Sequence, residues 1–359
     1  MSKIILLPLE PYKERYTEFL YQWELLAFKN HFDVVEPILP SRGVGSIVSG
    51  RVLDSNARPQ YCYEQLSQLY RGGFDDADAI YFSDMFHPGI EGLRYSGYTG
   101  QIGCFCWAQT FDVYDFTFEQ HVAWMRHYER MILECVDFVF VAHPMLRELI
   151  VAAVPEAESK VVVVGLPFNS DLVSTHVETQ YAKGLKIDCV YSSRWDEEKN
   201  PNFFLDVVEA NPGLNFAICT GSSQLRGTDK KAIQRANKLD NDGRLKIYSD
   251  LKKGEYYSLL SNSTVQFNCA RQDWISFTLL EALTFGCEPL YPLTRSFDIL
   301  QPFTYNHYLP EVVEDASFKL QSLIRTAKNG GESHQKDIQG AILGHMDQSL
   351  DRIAQLLKR

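Results

Sequence analysis

The chain has 359 residues, 45% of them apolar and 23% charged, which suits two ordinary globular domains. That balance excludes a disordered, collagen-like or coiled-coil chain, and no apolar run reaches the roughly 20 residues of a membrane helix. A net charge of −11 offers no broad electrostatic footprint for nucleic acid or anionic lipid, though a local basic cleft stays open.

Strand-like apolar runs alternate with helical patterns along the whole chain, the mark of an α/β fold with parallel sheets. The first run, 3–8, predicts a strand. A helix follows over 14–29, then a strand at 32–36 and an irregular Gly/Ser/Arg-rich segment over 38–58. A helix near 61–71, strands at 78–83 and 102–107, a helix over 119–134, a strand at 136–142, a helix over 144–153 and a strand at 160–164 complete the first half. The pattern breaks over 165–185, which reads as a linker. The second series has strands at 187–193, 215–219, 244–248, 264–269 and 288–291, with helices over 200–210, 228–238, 252–261 and 276–285. The tail, 333–358, carries apolar residues near a 3.6 spacing and predicts one helix.

The N-terminus MSKIILLPLEPYKERY is too short in apolar length, and too soon charged, for a secretory signal, so a cytoplasmic protein is expected. The eight cysteines show no CxxC pair and no Cys/His spacing for zinc, so they read as reduced structural thiols. Two Asp-x-Asp pairs, Asp76/Asp78 and Asp240/Asp242, lack the further oxygen ligands of a divalent site. No metal is expected.

Ligands of open α/β sheets bind beyond the carboxyl ends of the strands, so residues just after strands are the informative ones. After the strand at 187–193 come Arg194 and, five residues later, Lys199 at the mouth of a helix. Two cations with a helix N-terminus make an anion site. Read alone, the same residues also fit a solvated Arg and Lys beside an N-cap. After the strand at 264–269 come Asp273 and a helix starting near Ser276 and Phe277, with Glu281 inside it. Ser276 can cap that helix, and a carboxylate with two acceptor oxygens can hold adjacent hydroxyls of a ribose or sugar. A surface Asp and a solvated helix Glu are the plain alternative.

Together the two segments resemble the retaining GT-B glycosyltransferases of family 4 (group 1). Ser193 to Asn200 is similar to that family's GR-x-x-x-EKG, with Asn200 in the Gly place. Asp273 to Pro289 is similar to its E-x-FG-x-x-x-x-EA-x-x-x-G-x-P. Asp273 replaces the first Glu, Ser276 replaces a Gly, and Ala282, Gly286 and Pro289 fit the tail. The resemblance covers about residues 160–292. It implies two Rossmann-like parallel-sheet domains facing a central cleft. Residues 1–168 would be the acceptor side, 169–332 the donor side, and 333–359 a C-terminal helix packing back across the junction.

The implied activity is transfer of a sugar, with retention, from a nucleoside-diphosphate donor to a hydroxyl acceptor. A UDP-sugar is the foremost donor, and the acceptor is a glycan, a small molecule or modified DNA. No cofactor and no essential metal are implied. Arg194 and Lys199 would hold the diphosphate, Glu281 the ribose and Asp273 the transferred sugar. Backbone near Ser276 and Phe277 would face the distal phosphate, and Gly221, Ser222, Ser249 and Asp250 would flank the nucleotide.

The first half carries weaker signals. Pro8-Leu9-Glu10-Pro11 stands where the family often has a Gly-rich loop, and Ser41–Gly45 is a further cleft candidate. Asp84, His87, Trp107, Gln109 and Asp112 follow strands and are the acceptor-side candidates; His87 reads equally well as structural. The aromatic run over 105–128 suits a stacking platform or a plain core. Two other functions stay open. One is a phage-type DNA glycosyltransferase acting on a hydroxymethylated base, with Arg42, Arg51, Arg71 and Arg94 as a local track. The other is a catalytically silent GT-B-like binding subunit.

Overall fold

A computed structural model describes residues 1–40, 57–271, 273–330 and 335–359. The candidates at Ser41–Gly45, with Arg42 and Arg51, lie outside these. The chain forms two compact units: Met1–Phe168 with Met346–Arg359, and Asn169–His345.

Unit 1 runs β1 (Lys3–Leu7), α1 (Tyr16–His31), β2 (Val34–Pro37), α2 (Ala57–Gly72), β3 (Ala79–Phe82), α3 (Ile90–Tyr95), β4 (Gln101–Cys106), α4 (Phe116–Cys135), β5 (Phe138–Val141), α5 (Pro144–Ala153) and β6 (Val161–Val163). Its six-stranded sheet has the order β2-β1-β3-β4-β5-β6, and every pairing is parallel. Strands such as β3 (AIYF) are buried at every position. Continuous apolar runs of this kind belong to sheets covered on both faces.

Unit 2 runs α6 (Ser170–Ser174), β7 (Ile187–Tyr191), α7 (Pro201–Ala210), β8 (Phe216–Cys219), α8 (Lys230–Asn241), β9 (Lys246–Tyr248), α9 (Lys253–Ser261), β10 (Ser263–Phe267), α10 (Phe277–Thr284), β11 (Glu288–Pro292), β12 (His307–Tyr308), α11 (Val313–Lys328) and α12 (Gln335–Met346). Its sheet, also six-stranded and parallel, has the order β12-β11-β10-β7-β8-β9. The core gathers Tyr191, Phe204, Phe267 and Tyr308, with Tyr191 and Phe204 stacked at 4.5 Å between ring centroids.

Two sequence expectations need correction. The segment 165–185 is not a loose linker: it carries α6, buries Val173 and Ala182, and donates from Ala182 N to Ser258 Oγ at 3.0 Å. The tail is not one helix. It breaks after α12, and α13 (Ser349–Leu357) lies with unit 1, against α1 and β4. Its apolar stripe, Leu350, Ile353, Ala354 and Leu357, is buried there, and Arg352 Nη1 donates to Val164 O at 3.0 Å. Gly103 of β4 permits the approach, since a Cβ there would stand 2.8 Å from Leu357 Cδ2.

Each sheet has one place where the chain reverses its direction of strand addition. In unit 1 it lies between β1 and β3, because β2 was laid on the other side of β1. In unit 2 it lies between β7 and β10, because β8 and β9 were laid on the other side of β7. The strand ends are in register at both: Leu7 pairs with Phe82, and Tyr191 with Phe267. The loops after those strands therefore leave their sheets side by side. Such reversals open the crevices in which α/β folds bind ligands.

Candidate functional site

Both sequence motifs of unit 2 stand at its reversal point. The loop 192–200 follows β7, and the loop 268–276 follows β10. Buried groups stitch the two together. The hydroxyl of Tyr191 lies 3.4 Å from Arg194 O and 3.3 Å from Lys199 O, and Cys269 Sγ lies 3.3 Å from Lys199 O and 3.2 Å from Asn200 O. Arg271 N donates to Glu198 O at 2.8 Å. Lys199 Nζ then meets Asp273 Oδ2 at 3.4 Å, a contact between oppositely charged groups contributed by the two motifs.

The backbone at Asn200 explains the departure from the family pattern. Its φ of 49° and ψ of 47° are left-handed, a region where Gly is cheapest and Asn next. Gly286 does the same after α10, with φ 78°. Ile275 also has positive φ, 57°, and is β-branched, so strain is held between Asp273 and the start of α10. Ser276 caps α10: its Oγ accepts from Thr278 N at 3.3 Å and lies 2.7 Å from Thr278 Oγ1. Phe277, half-buried, opens the helix.

The charges are more internally matched than the sequence implied. Arg194 is half-exposed and donates to Asp196 Oδ2 at 2.6 Å and Glu198 Oε1 at 2.9 Å. Glu281 is buried, and its Oε1 accepts from Lys253 Nζ at 2.5 Å and Tyr257 OH at 3.2 Å. Neither Lys253 nor Tyr257 was read as a site residue. Their signal was there: positions four apart on α9 share one helix face. Tyr256, beside them, donates to Ser192 Oγ at 3.1 Å and so ties α9 to the loop after β7.

The flanking loops also come together. Thr220 N donates to Tyr248 O at 3.0 Å, Asp250 N to Ser222 O at 3.0 Å and Leu251 N to Thr220 O at 3.2 Å. Gly221, Ser222, Ser249 and Asp250 thus form one rim at the carboxyl ends of β8 and β9, the same sheet edge as Arg194 and Asp273. A Cβ at Gly221 would lie 3.2 Å from Leu251 O, so little space separates the two loops.

In unit 1 the acceptor-side candidates follow β3 and β4. Asp84 is paired with Arg58, and its Oδ1 accepts from Phe86 N at 2.9 Å. His87 is buried; its Nε2 lies 3.0 Å from Gln65 Oε1 and its Nδ1 2.8 Å from Pro88 O. Two acceptors around one ring would suit an imidazolium, but burial dominates and pushes the pKa down to about 3. Gln65 presents its Oε1 to that ring, because its own amide N already donates to Pro8 O and Ile38 O at 3.0 Å each. These contacts and its burial hold the His87 ring in one place. Trp107 Nε1 donates to Ser83 O at 2.6 Å. Asp112 accepts from Tyr114 N at 3.1 Å within its turn. Gln109 is 1% exposed, and among the described residues neither of its amide atoms has a hydrogen-bond partner. The aromatic run divides: Phe105 is core, whereas Tyr114 and Trp124 are exposed.

Comparison with known proteins follows from this geometry. No family model matches the chain, and no curated protein matches it in sequence. Solved structures do. The chain has the GT-B fold. A sucrose-phosphate synthase from Thermosynechococcus elongatus superposes with a TM-score of 0.70 at 14% identity, over 99% of this chain and 98% of that one. A trehalose-6-phosphate structure from E. coli bound with UDP-2-fluoro glucose gives a TM-score of 0.70 at 11% identity, over 100% of this chain and 99% of that one. The lipopolysaccharide outer core galactosyltransferase WaaB, in its apo form, gives 0.63 at 14% identity, over 98% and 97%. These likenesses are to glycosyltransferases of the GT-B fold, as the family-4 resemblance implied.

Three of the four carboxyl groups in the two Asp-x-Asp pairs have partners within the protein. Asp76 pairs with Lys3 Nζ at 2.9 Å, Asp78 accepts from Lys3 N at 2.7 Å, and Asp240 accepts from Ile247 N at 3.2 Å. Among the described residues no three His, Cys, Asp or Glu side chains are grouped to hold a metal ion. No helix of the described residues is long and apolar enough to cross a membrane. Arg94, a candidate for a DNA track, donates instead to Asp137 at 2.5 Å and to the carbonyls of Cys135, Tyr98 and Gly100. Arg71 donates to Ser67 O at 3.0 Å.

Proposed function

We propose that the protein is a glycosyltransferase that takes a sugar from a nucleoside-diphosphate donor, UDP-linked in the first instance, and transfers it with retention to a hydroxyl acceptor. The observation that carries the reading is the 3.4 Å contact of Lys199 with Asp273 at the β7/β10 reversal point. Two motifs 74 residues apart in sequence meet where this sheet opens a ligand crevice. A solved structure of the same fold carries UDP-2-fluoro glucose, which supports a nucleotide-sugar donor.

In this reading Lys199 and Arg194 neutralise the leaving diphosphate, with the first N–H groups of α10 adding a fixed positive dipole end. Asp273 accepts from hydroxyls of the transferred sugar, and Glu281, oriented by Lys253 and Tyr257, accepts from the ribose. The bond between the anomeric carbon and the diphosphate oxygen breaks as the acceptor oxygen bonds to the same face. The acceptor proton passes to the departing phosphate. No metal takes part in this scheme. A reducing, cytoplasmic setting fits the eight unpaired thiols.

A second reading, a silent binding subunit, has one observation in its favour: Arg194 is already held by two carboxylates, Asp196 and Glu198. The test separates them. UDP, GDP and ADP are screened for thermal stabilisation of the full chain, then the matching nucleotide sugars for release of diphosphate. Stabilisation together with turnover supports the transferase, and stabilisation alone the silent subunit. The anomeric configuration of the product, read by NMR, decides retention. Stabilisation that persists equally in Lys199→Ala and Glu281→Ala would falsify the site.

A further inference from the structure

The reversal point of unit 1 holds a second group of polar side chains, of which the sequence pointed to Asp84 and His87 as candidates and to Glu10 within the loop after the first strand. At the carboxyl ends of β1 and β3 lies a cavity of about 10 Å³, lined among others by Glu10, Arg58, Tyr61, Gln65, Asp84 and His87. A volume near 10–15 Å³ admits about one water-sized group. Neither a phosphate nor a sugar ring enters it whole.

Its walls are fixed. Gln65 ties the ends of β1 and β2 to α2 through Pro8 O and Ile38 O. Arg58 is paired with Asp84, and the buried Glu10 accepts from Tyr12 OH. Arg58, Tyr61, Cys62 and Gln65 fall at i, i+3, i+4 and i+7, so one stripe of α2 supplies them. The hydroxyl of Tyr61 is buried and has no hydrogen-bond partner among the described residues. An orphaned hydroxyl in a protein interior is costly, and a water or a ligand hydroxyl in the recess would satisfy it.

The electrostatics select the partner. Among the described residues one guanidinium, Arg58, stands against two carboxyl groups, Glu10 and Asp84, and burial disfavours a charge on His87, so the described lining has no surplus positive charge for an anion. A hydroxyl suits it well. A hydroxyl can accept from Tyr61 and donate to a carboxyl group lining the same recess, whereas an ionised phosphate oxygen can only accept.

We infer that this recess receives a single hydroxyl of an uncharged sugar or polyol, and that unit 1 does not bind a phosphorylated ligand there. Treating that ligand as the sugar acceptor rests on the transferase reading above; the binding itself does not.

The test uses the full chain and saturation-transfer difference NMR with glucose, galactose, mannose and glycerol, against glucose 6-phosphate. The expected result is saturation of at least one neutral compound by the parent, no stronger signal from glucose 6-phosphate, and about a five- to tenfold weaker affinity in Tyr61→Phe, the size of one lost hydrogen bond. Glu10→Gln should weaken it further, since it replaces a carboxylate acceptor. Thermal melts of both variants check that they fold. Stronger binding of glucose 6-phosphate overturns the proposal. So does undiminished binding by the folded variants, or no binding of any neutral compound, in which case the recess holds water only. Stabilisation by UDP is measured on the same samples. If UDP binds and the sugars do not, the recess is wrong and the donor site stands; the reverse outcome sinks the donor site alone.

Discussion

Several carboxyl groups in the two units meet different kinds of partner. In unit 1, Glu24 is wholly buried and accepts from a hydroxyl, Ser83 Oγ at 2.8 Å; burial pushes its pKa up to about 8. Glu129, held by Thr110, is pushed up to about 7 for the same reason. In unit 2, Glu281 meets Lys253 at 2.5 Å, Asp273 meets Lys199 at 3.4 Å and Asp188 meets Lys328 at 2.9 Å. A hydroxyl partner leaves the desolvation cost of the anion largely unmet, so the proton stays; an ammonium offsets it. The comparison teaches where a charged ligand is affordable. Unit 2 maintains matched charges at its sheet edge, and in the proposed reading Lys199 exchanges Asp273 for a diphosphate. The recess of unit 1 sets one guanidinium against two carboxyl groups, beside the hydroxyl of Tyr61 and the amide of Gln65.

The strongest way to break this contrast is Lys199→Ala. A hydrogen bond to a charged group is worth about 1.5–3 kcal/mol. Nucleoside-diphosphate affinity should therefore fall by roughly 10–150-fold in calorimetric titration, with the melt of the unliganded protein little changed. Next comes the backbone that delivers Lys199. Asn200→Val forces a β-branched residue into left-handed backbone and should cost about 1–2 kcal/mol in urea unfolding, while Asn200→Gly should be close to neutral.

The carboxyls of unit 1 give a pH signature. Folded Glu24 keeps its proton up to about pH 8, whereas the unfolded chain loses it near the ordinary value of 4.5. The folded state thus binds the extra proton between those limits, and stability falls as pH rises through that window, by at most about 1.4 kcal/mol per unit. Glu24→Gln should flatten the slope measured by denaturant titration from pH 5 to 8. An unchanged slope would mean that Glu24 is not held neutral. Smallest is the orientation of Glu281. Lys253→Met should reduce the preference for UDP over 2′-deoxy-UDP by about 0.5–1.5 kcal/mol, because the carboxylate loses its anchor, while diphosphate binding through Lys199 persists. Equal loss for both nucleotides would make Lys253 a phosphate contact instead.

Much of the fold was legible in the linear order. Runs such as VDFVFVA and KVVVV are too apolar and too short for anything but buried strands, and their alternation with amphipathic helices dictates parallel sheets. The Lys199 and Asp273 segments were legible for a related reason: both follow strands, and strand ends are where such sheets bind. Less visible were β12 and α3, which are short, and the break between α12 and α13, where the apolar stripe continues through the interruption.

By itself the sequence determined the residue types and their place beside a strand: cations after β7, acids after β10, an Asn where the family has Gly. These are local matters of period, propensity and backbone sterics. Only the tertiary structure decided which of these groups already have partners. That Arg194 is held by Asp196 and Glu198, that Glu281 leans on Lys253, and that Tyr61 has no partner among the described residues follow from burial and from strand order. A hydrogen bond depends on distances of a few tenths of an ångström between segments far apart in the chain, and no spacing along the chain encodes those distances.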